Sequence, residues 1–212
     1  HVKRAFELWM TANCSDCHYV FALNNCSECM FSFNLRNAHY AIGNTVLEKG
    51  KYLQIKRSIQ EQMRDELAKK KRLPSLTELA AKAADRSSEA RAMLSGRLSY
   101  PEEKKSMAPI EVAFGRTAKI LFGAELSGLE SYRPWLLRRI PEGHWRKSVI
   151  SGKKLFIGNY AKYPEIPESR IVLEAEALKL VEISPPVKGI EKITLDSAHR
   201  FLGDIAYFSL EY

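Results

Sequence analysis

Aromatic and apolar residues fall at alternate positions in three short runs near the start of the chain: Tyr19 and Phe21, Phe31 and Phe33, Tyr40 and Ile42. Alternation with a period of two predicts short β-strands. The runs also recur. Written twelve to a line from Val2, the chain reads VKRAFELWMTAN, CSDCHYVFALNN, CSECMFSFNLRN and a shortened AHYAIGN, with Asn13, Asn25 and Asn37 closing successive units. A unit this short cannot bury its own apolar face, so neighbouring units must stack. At a strand spacing of about 4.8 Å, stacking predicts Phe21 over Phe33 and Cys17 over Cys29, as in a small parallel β-solenoid with twelve-residue coils. Asn suits the ends of the units because its short amide bonds the local backbone and tolerates a left-handed conformation. Two antiparallel hairpins around a metal are the competing arrangement.

From residue 49 to 72 the period lengthens to that of a helix. Leu53, Ile55, Ile59, Met63 and Leu67 form an apolar stripe, and Lys56, Arg57, Arg64 and Lys69, Lys70, Lys71 and Arg72 occupy other faces. This predicts a basic amphipathic helix that covers the last repeat unit. Pro74 stops it. Ser75-Leu76-Thr77-Glu78 is a capping box that starts a small-residue helix through Leu79, Ala80, Ala83 and Ala84, and Ser87 and Ser88 introduce a short successor ending near Ser95. Residues 96–109, with two prolines and the charged run 102–105, read as a linker. Beyond it, Ile110, Ala113, Phe114, Thr117, Ile120 and Leu121 lie along one side of a helix ended by Gly123, and Pro134 starts or bends another. Residues 154–157 and 205–208 read as short strands, 172–181 as a helix or an alternating strand, with helix favoured by the helix formers Glu174 to Leu178, and Thr194 or Asp196 caps a helix that Gly203 stops. The fold class is α+β. Its parts are a Cys-rich β repeat (1–48), basic and small-residue helices (49–95), the linker (96–109) and a mainly helical region closing on short strands (110–212).

All four cysteines lie in the repeat, as C-x2-C-x8-C-x2-C: Cys14, Cys17, Cys26 and Cys29. Paired C-x2-C turns are a common way to present four thiolates to a structural zinc ion, and stacking brings these two turns together. Two other readings fit the same positions. Val2, Ala5 and Ala38 occupy the corresponding columns in other units, which makes cysteine a compact buried hydrophobe. Pairing of Cys14 with Cys26 and Cys17 with Cys29 suits disulfide geometry between adjacent strands.

The run Leu35, Arg36, Asn37, Tyr40, Ile42, Gly43 and Asn44, following C-x2-C units, resembles the end of cysteine-rich short-repeat proteins known as uncharacterised reading frames of archaea and uncultured microbes. The likeness extends into the basic helix. Those proteins usually carry a further cysteine after the tyrosine, where this chain has Ala41. The resemblance implies an intracellular, cytoplasmic microbial protein and implies no activity.

Composition narrows the classes of function. Lys and Arg number 33 against 25 Asp and Glu, a net charge of +8, which favours an acidic partner such as RNA, DNA or an anionic surface. No stretch approaches the roughly eighteen apolar residues of a membrane span. Beginning at His1 and stopping in an apolar run at Tyr212, the chain reads as a processed or partial one. The densest mixture of cations and aromatics is Arg133, Trp135, Arg138, Arg139, His144, Trp145, Arg146, Lys147, Lys153 and Lys154. Arginine forks bind phosphate and indoles stack on bases, so this segment is the first candidate nucleic-acid surface, with Lys69, Lys70, Lys71 and Arg72 the second. The competing structural reading buries Trp135, Leu136 and Leu137 in a helix core and lets Lys69–Arg72 answer the dipole of their own helix.

His144, His199, Asp196 and Glu174 are available acids and bases, but no spacing joins them to a nucleophile or metal, and no nucleophile elbow, His-Glu-x-x-His or dinucleotide glycine pattern occurs. The sequence therefore predicts a non-enzymatic binding component of a larger protein or nucleoprotein assembly. A protein-interaction scaffold without nucleic-acid contact and a metal-dependent enzyme are the alternatives.

Overall fold

The computed structural model describes residues 6–100, 107–139, 143–158 and 166–210. Val2, Ala5 and the charged run 102–105 lie outside these residues. The described chain is α+β. Five strands come first: β1 (Phe6–Trp9), β2 (His18–Phe21), β3 (Ser27–Phe33), β4 (His39–Ile42) and β5 (Thr45–Val46). Helices α1 (Lys49–Lys70), α2 (Leu76–Lys82), α3 (Ser87–Leu94), α4 (Ala108–Phe122) and α5 (Arg133–Leu137) follow. Then come β6 (His144–Lys147), β7 (Lys154–Ile157), β8 (Ile171–Val172), α6 (Glu174–Ile183), α7 (Leu195–Ile205) and β9 (Phe208–Ser209).

The twelve-residue period becomes a parallel sheet in the order β1-β2-β3-β4, with β5 antiparallel at its edge. Parallel partners are twelve residues apart throughout: Leu8 with Val20, Phe21 with Phe33, Cys29 with Ala41. Bridges outside the strands, Ala12–Asn24, Ser15–Ser27 and Asn24–Arg36, keep the same offset. This order rules out the antiparallel hairpins.

Asn13, Asn25 and Asn37 take the expected left-handed conformation, with φ of 53°, 53° and 52°. They are part of a finer rhythm. From Met10 to Gly43 every third residue has φ near +50°, including Tyr19, Ala22, Glu28 and Phe31, which nothing in their side chains favours. Such a residue costs about 1–2 kcal/mol unless it is Gly, Asn or Asp, so packing must hold the rhythm in place.

That packing has two faces. Cys14, Cys17, Val20, Leu23, Cys26, Cys29, Leu35, Ala38 and Ala41, all on one three-residue spacing, form a buried cluster of their own. Tyr19, Phe21, Phe31 and Phe33 belong instead to the main core. Tyr19 stacks on Phe31 at 5.2 Å and Phe21 on Phe33 at 5.5 Å, as the register requires. The C-terminal segment covers this aromatic face. His199 of α7 meets Tyr19 and Phe31 edge-on at 5.7 and 5.8 Å, and Phe208 of β9 meets Phe21 and Phe33 at 4.8 and 5.3 Å. Buried Asn34 donates to the Tyr207 carbonyl and accepts from the Ser209 hydroxyl, which fixes β9 against the repeat.

The basic helix α1 packs on β4 through Tyr52, 5.6 Å from Tyr40, with Ile55 and Ile59 buried beside it. Leu67, expected in its stripe, is exposed. The Ser75–Glu78 capping box forms as expected. Gly203 corrects the sequence reading, since α7 continues through it to Ile205. A Cβ there would stand 2.6 Å from that of Ala83, so this glycine lets α7 approach the C-terminal end of α2 closely. The strand expected at 205–208 consequently starts later and is β9, paired in parallel with β8.

Candidate nucleic-acid interface

β6 and β7 form an antiparallel ribbon with Trp145 opposite Phe156 and Lys147 opposite Lys154. Directly paired residues share a face. One face therefore carries two aromatics and two ammonium groups, and all four side chains are exposed, Trp145 at 66% and Phe156 at 37%. The rings meet edge to face at 5.4 Å. Phe156 lies over Gly143, where a Cβ would come within 2.1 Å of the ring, so glycine makes room for it. The opposite face holds Arg146 and the buried Leu155, which anchors the ribbon in the main core.

The turn is tied down at its base. Ser148 accepts hydrogen bonds from the amides of Ile150 and Ser151, and its hydroxyl donates to Glu176. Glu176, fully buried, also accepts from the Leu173 amide at 2.9 Å and from the Tyr100 hydroxyl at 2.8 Å. Burial, together with this bond, pushes the Tyr100 pKa up to about 12. Lys153 lies over the Tyr100 ring at 4.7 Å. Beside the ribbon is a cleft of about 260 Å³ lined by Trp145, Arg146, Lys147, Lys154, Glu168 and Ile171. Arg146 reaches Glu168 at only 3.9 Å, and among the described residues no ion pair joins Lys147 or Lys154 to a carboxylate.

The other predicted cations are placed differently. Arg133 pairs with Glu130 at 3.4 Å, and Arg139 lies over the Trp135 ring at 5.2 Å on the exposed α5, where Arg138 is exposed as well. Trp135 and Leu137 are exposed, so the helix-core reading of α5 fails for them. Lys70 pairs with Glu66 and Arg72 with Glu78, each at 2.9 Å, and Lys69 and Lys70 close the last turn of α1. Half of that basic run is thus engaged in structural contacts. Phe156, Gly143 and the Ser148–Glu176 anchor are the parts of this site that the sequence did not signal, since they emerge only once the strand register is known.

The four cysteines are free thiols, each about 1% exposed or less. Each donates to the carbonyl two residues earlier: Cys14 to Ala12, Cys17 to Ser15, Cys26 to Asn24 and Cys29 to Ser27, at 3.2–3.4 Å. Interaction among the neighbouring thiols lowers the pKa of Cys17 and Cys26 and raises that of Cys29, which burial raises further. Among the described residues no group of three or more His, Cys, Asp or Glu side chains is disposed to hold a metal ion.

The acids and bases named from the sequence are dispersed. Glu174 pairs with Arg36 at 2.6 Å, Asp196 with Arg200 at 3.1 Å, and His144 is exposed at the start of β6. His199 and Asp196 both line a cleft of about 650 Å³ between α1, α2 and α7. Burial depresses the His199 pKa, and its buried Nε2 has no hydrogen-bond partner among the described residues; the ring packs edge-on against Tyr19 and Phe31. No hydrogen bond links Asp196 to His199 among the described residues.

Comparison of the chain with protein-family models, with curated proteins and with solved structures finds no match.

Proposed function

We propose that this chain is a non-enzymatic binding component of a larger nucleoprotein assembly, and that the β6–β7 ribbon contacts single-stranded RNA or DNA. One observation carries the reading. An exposed face pairs Trp145 with Phe156 and Lys147 with Lys154, although like charges placed directly opposite each other destabilise a ribbon. A polyanion relieves that repulsion, and bases stack on the aromatic pair irrespective of sequence. The adjoining cleft, lined by three cations and an indole, has room for one unstacked base.

The N-terminal repeat is the scaffold in this reading. Constant twelve-residue offsets, buried side chains at every third position and a left-handed residue before each of them support a small β-solenoid with four triplets per coil. The cysteines are then packing residues of its interior. Such a stack gives β9, α7 and the elements that follow them in space a rigid base.

Fluorescence anisotropy with a labelled oligothymidine or oligouridine tests the proposal. Affinity should fall with salt along a log–log slope of about −2 to −3, as expected for three to four neutralised phosphates. Lys147→Glu with Lys154→Glu should weaken binding at least about tenfold, and Trp145→Ala by a comparable factor through lost stacking. Salt-independent binding, or binding indifferent to all three substitutions, refutes the assignment.

A further inference from the structure

The exposed large apolar residues are not scattered. Of the fourteen among the described residues, nine lie between Met107 and Leu137: Met107, Ile110, Val112, Ile120, Leu121, Phe122, Leu126, Trp135 and Leu137. In α4 only Ala118 is buried. Of the stripe read along one side of this helix, Ile110, Ala113, Thr117, Ile120 and Leu121 face outward and Phe114 is half-buried, and Ile120 is 82% exposed. The inner side of α4 is engaged within the same segment: Phe114 meets Tyr132 at 5.6 Å and Glu111 accepts the Leu129 amide at 3.0 Å. A helix apolar on nearly all sides is ordinarily buried, and among the described residues nothing covers the outer side of this one.

Charge selects the cover. The carboxylates of this segment are occupied: Glu125 by Lys119 at 3.6 Å, Glu130 by Arg133 at 3.4 Å, and Glu111 by the Leu129 amide. Arg116, Arg138 and Arg139 are exposed and meet no carboxylate among the described residues. Aliphatic side chains flanked by guanidinium groups that meet no carboxylate among the described residues, with an exposed indole at Trp135 beneath Arg139, match an interface of acyl chains and anionic headgroups. Nucleic acid offers nothing to Ile120 and Leu121. At fifteen residues α4 is about 22 Å long, too short to cross a bilayer, and no helix among the described residues is long and apolar enough to do so.

We infer that α4 and α5 form a docking surface for an anionic lipid bilayer, on which α4 lies in the interfacial plane with Ile110, Ile120 and Leu121 inserted and Arg116, Arg138 and Arg139 on the headgroups. The site is separate from the ribbon, so the chain has one surface for lipid and another for nucleic acid.

The test is flotation of the full chain with phosphatidylcholine vesicles, with and without phosphatidylglycerol. Binding should require the anionic lipid. Ile120→Asp with Leu121→Asp should reduce partitioning by about tenfold or more, because both the inserted area and the sign of the local charge change. Arg138→Glu with Arg139→Glu should weaken it several-fold, whereas Lys147→Glu with Lys154→Glu should leave most of it. In a variant whose only tryptophan is Trp135, brominated lipid should quench the fluorescence. The Asp and Glu substitutions are all at exposed positions, and unchanged circular dichroism verifies the fold of each variant. Absence of binding to anionic vesicles overturns the inference. Equal binding by the Asp pair overturns it too, since adsorption is then by general basicity. Light scattering that shows a lipid-free dimer dispersed by the Asp pair assigns the face to a second copy of the chain instead. Oligonucleotide affinity unaltered by the Asp pair separates this result from that for the ribbon.

Discussion

Replacement of Cys17 and Cys29 by alanine decides what the buried thiols do. Both side chains are fully buried, and twelve residues after Cys29 its strand partner is Ala41, so alanine fits the same backbone. Each substitution removes one heavy atom comparable to a methylene, about 0.8 kcal/mol of transfer free energy. The space left behind, about 25 Å³, adds roughly 0.6 kcal/mol. The pair should therefore cost about 2–3 kcal/mol. For a chain of this size that lowers the midpoint by about 4–12 °C. A structural zinc ion supplies about 10–16 kcal/mol of folding free energy, so loss of two ligands would leave no folded state. Thermal melts followed by circular dichroism, under reducing conditions and with or without chelator, separate the two cases. A folded double variant indifferent to chelator is the expected outcome. An unfolded variant, or a wild-type protein melted by chelator with release of one zinc per chain, refutes the packing argument.

Three further outcomes follow from buried polar groups and close contacts. Glu176→Ala leaves the Tyr100 and Ser148 hydroxyls and the Leu173 amide without their acceptor, and should cost about 2–4 kcal/mol in urea denaturation; a loss below 1 kcal/mol would show that water replaces the carboxylate. Gly203→Ala should destabilise by about 1–3 kcal/mol through its clash with Ala83, and Ala83→Gly should recover most of that in a double-mutant cycle. Additive losses would place the strain elsewhere. Burial, the leading cause for both, lowers the pKa of His18 and His199, so protons bind the unfolded chain more tightly than the folded one. Stability should be fully present above pH of about 6.5 and fall as pH drops through the depressed folded values. His199→Phe should flatten that dependence; an unchanged slope would exclude His199 as a source.

The repeat was legible because its period survives in the identities of Asn13, Asn25 and Asn37 and in the paired cysteines, and the register follows from it directly. The helix boundaries were legible where a side chain makes the cap: Ser75 and Glu78 at α2, Gly123 after α4, Pro134 in the first turn of α5. Gly203 was misread because a glycine needed for a close helix contact has the same signature as one that ends a helix. β6 went unseen for a different reason. Its four residues are all exposed and carry no apolar alternation, and its pairing with β7 depends on a turn whose anchor, Glu176, lies 28 residues beyond Ser148. The outward stripe of α4 has the periodicity of a core helix, and periodicity reports only that a face needs a cover.

The C-x2-C spacing itself has a second origin. In the N-terminal stack the buried positions recur at 14, 17, 20, 23, 26, 29, 32, 35, 38 and 41. Two adjacent positions of this series are necessarily separated by two others, and the twelve-residue register brings the same pair back after a further eight residues. C-x2-C-x8-C-x2-C is thus also the pattern produced by placing cysteine at two neighbouring buried positions in two successive repeat units. The metal reading of the same string explains the cysteines but not Val20, Leu23, Leu35, Ala38 and Ala41, which continue the spacing without offering a ligand. Ser32, also on the spacing, satisfies its hydroxyl by donating to the Met30 carbonyl, two residues earlier, as the thiols do. A compact side chain is what these buried positions accept, and where it carries a donor, as cysteine and Ser32 do, the carbonyl two residues earlier satisfies it at low polar cost.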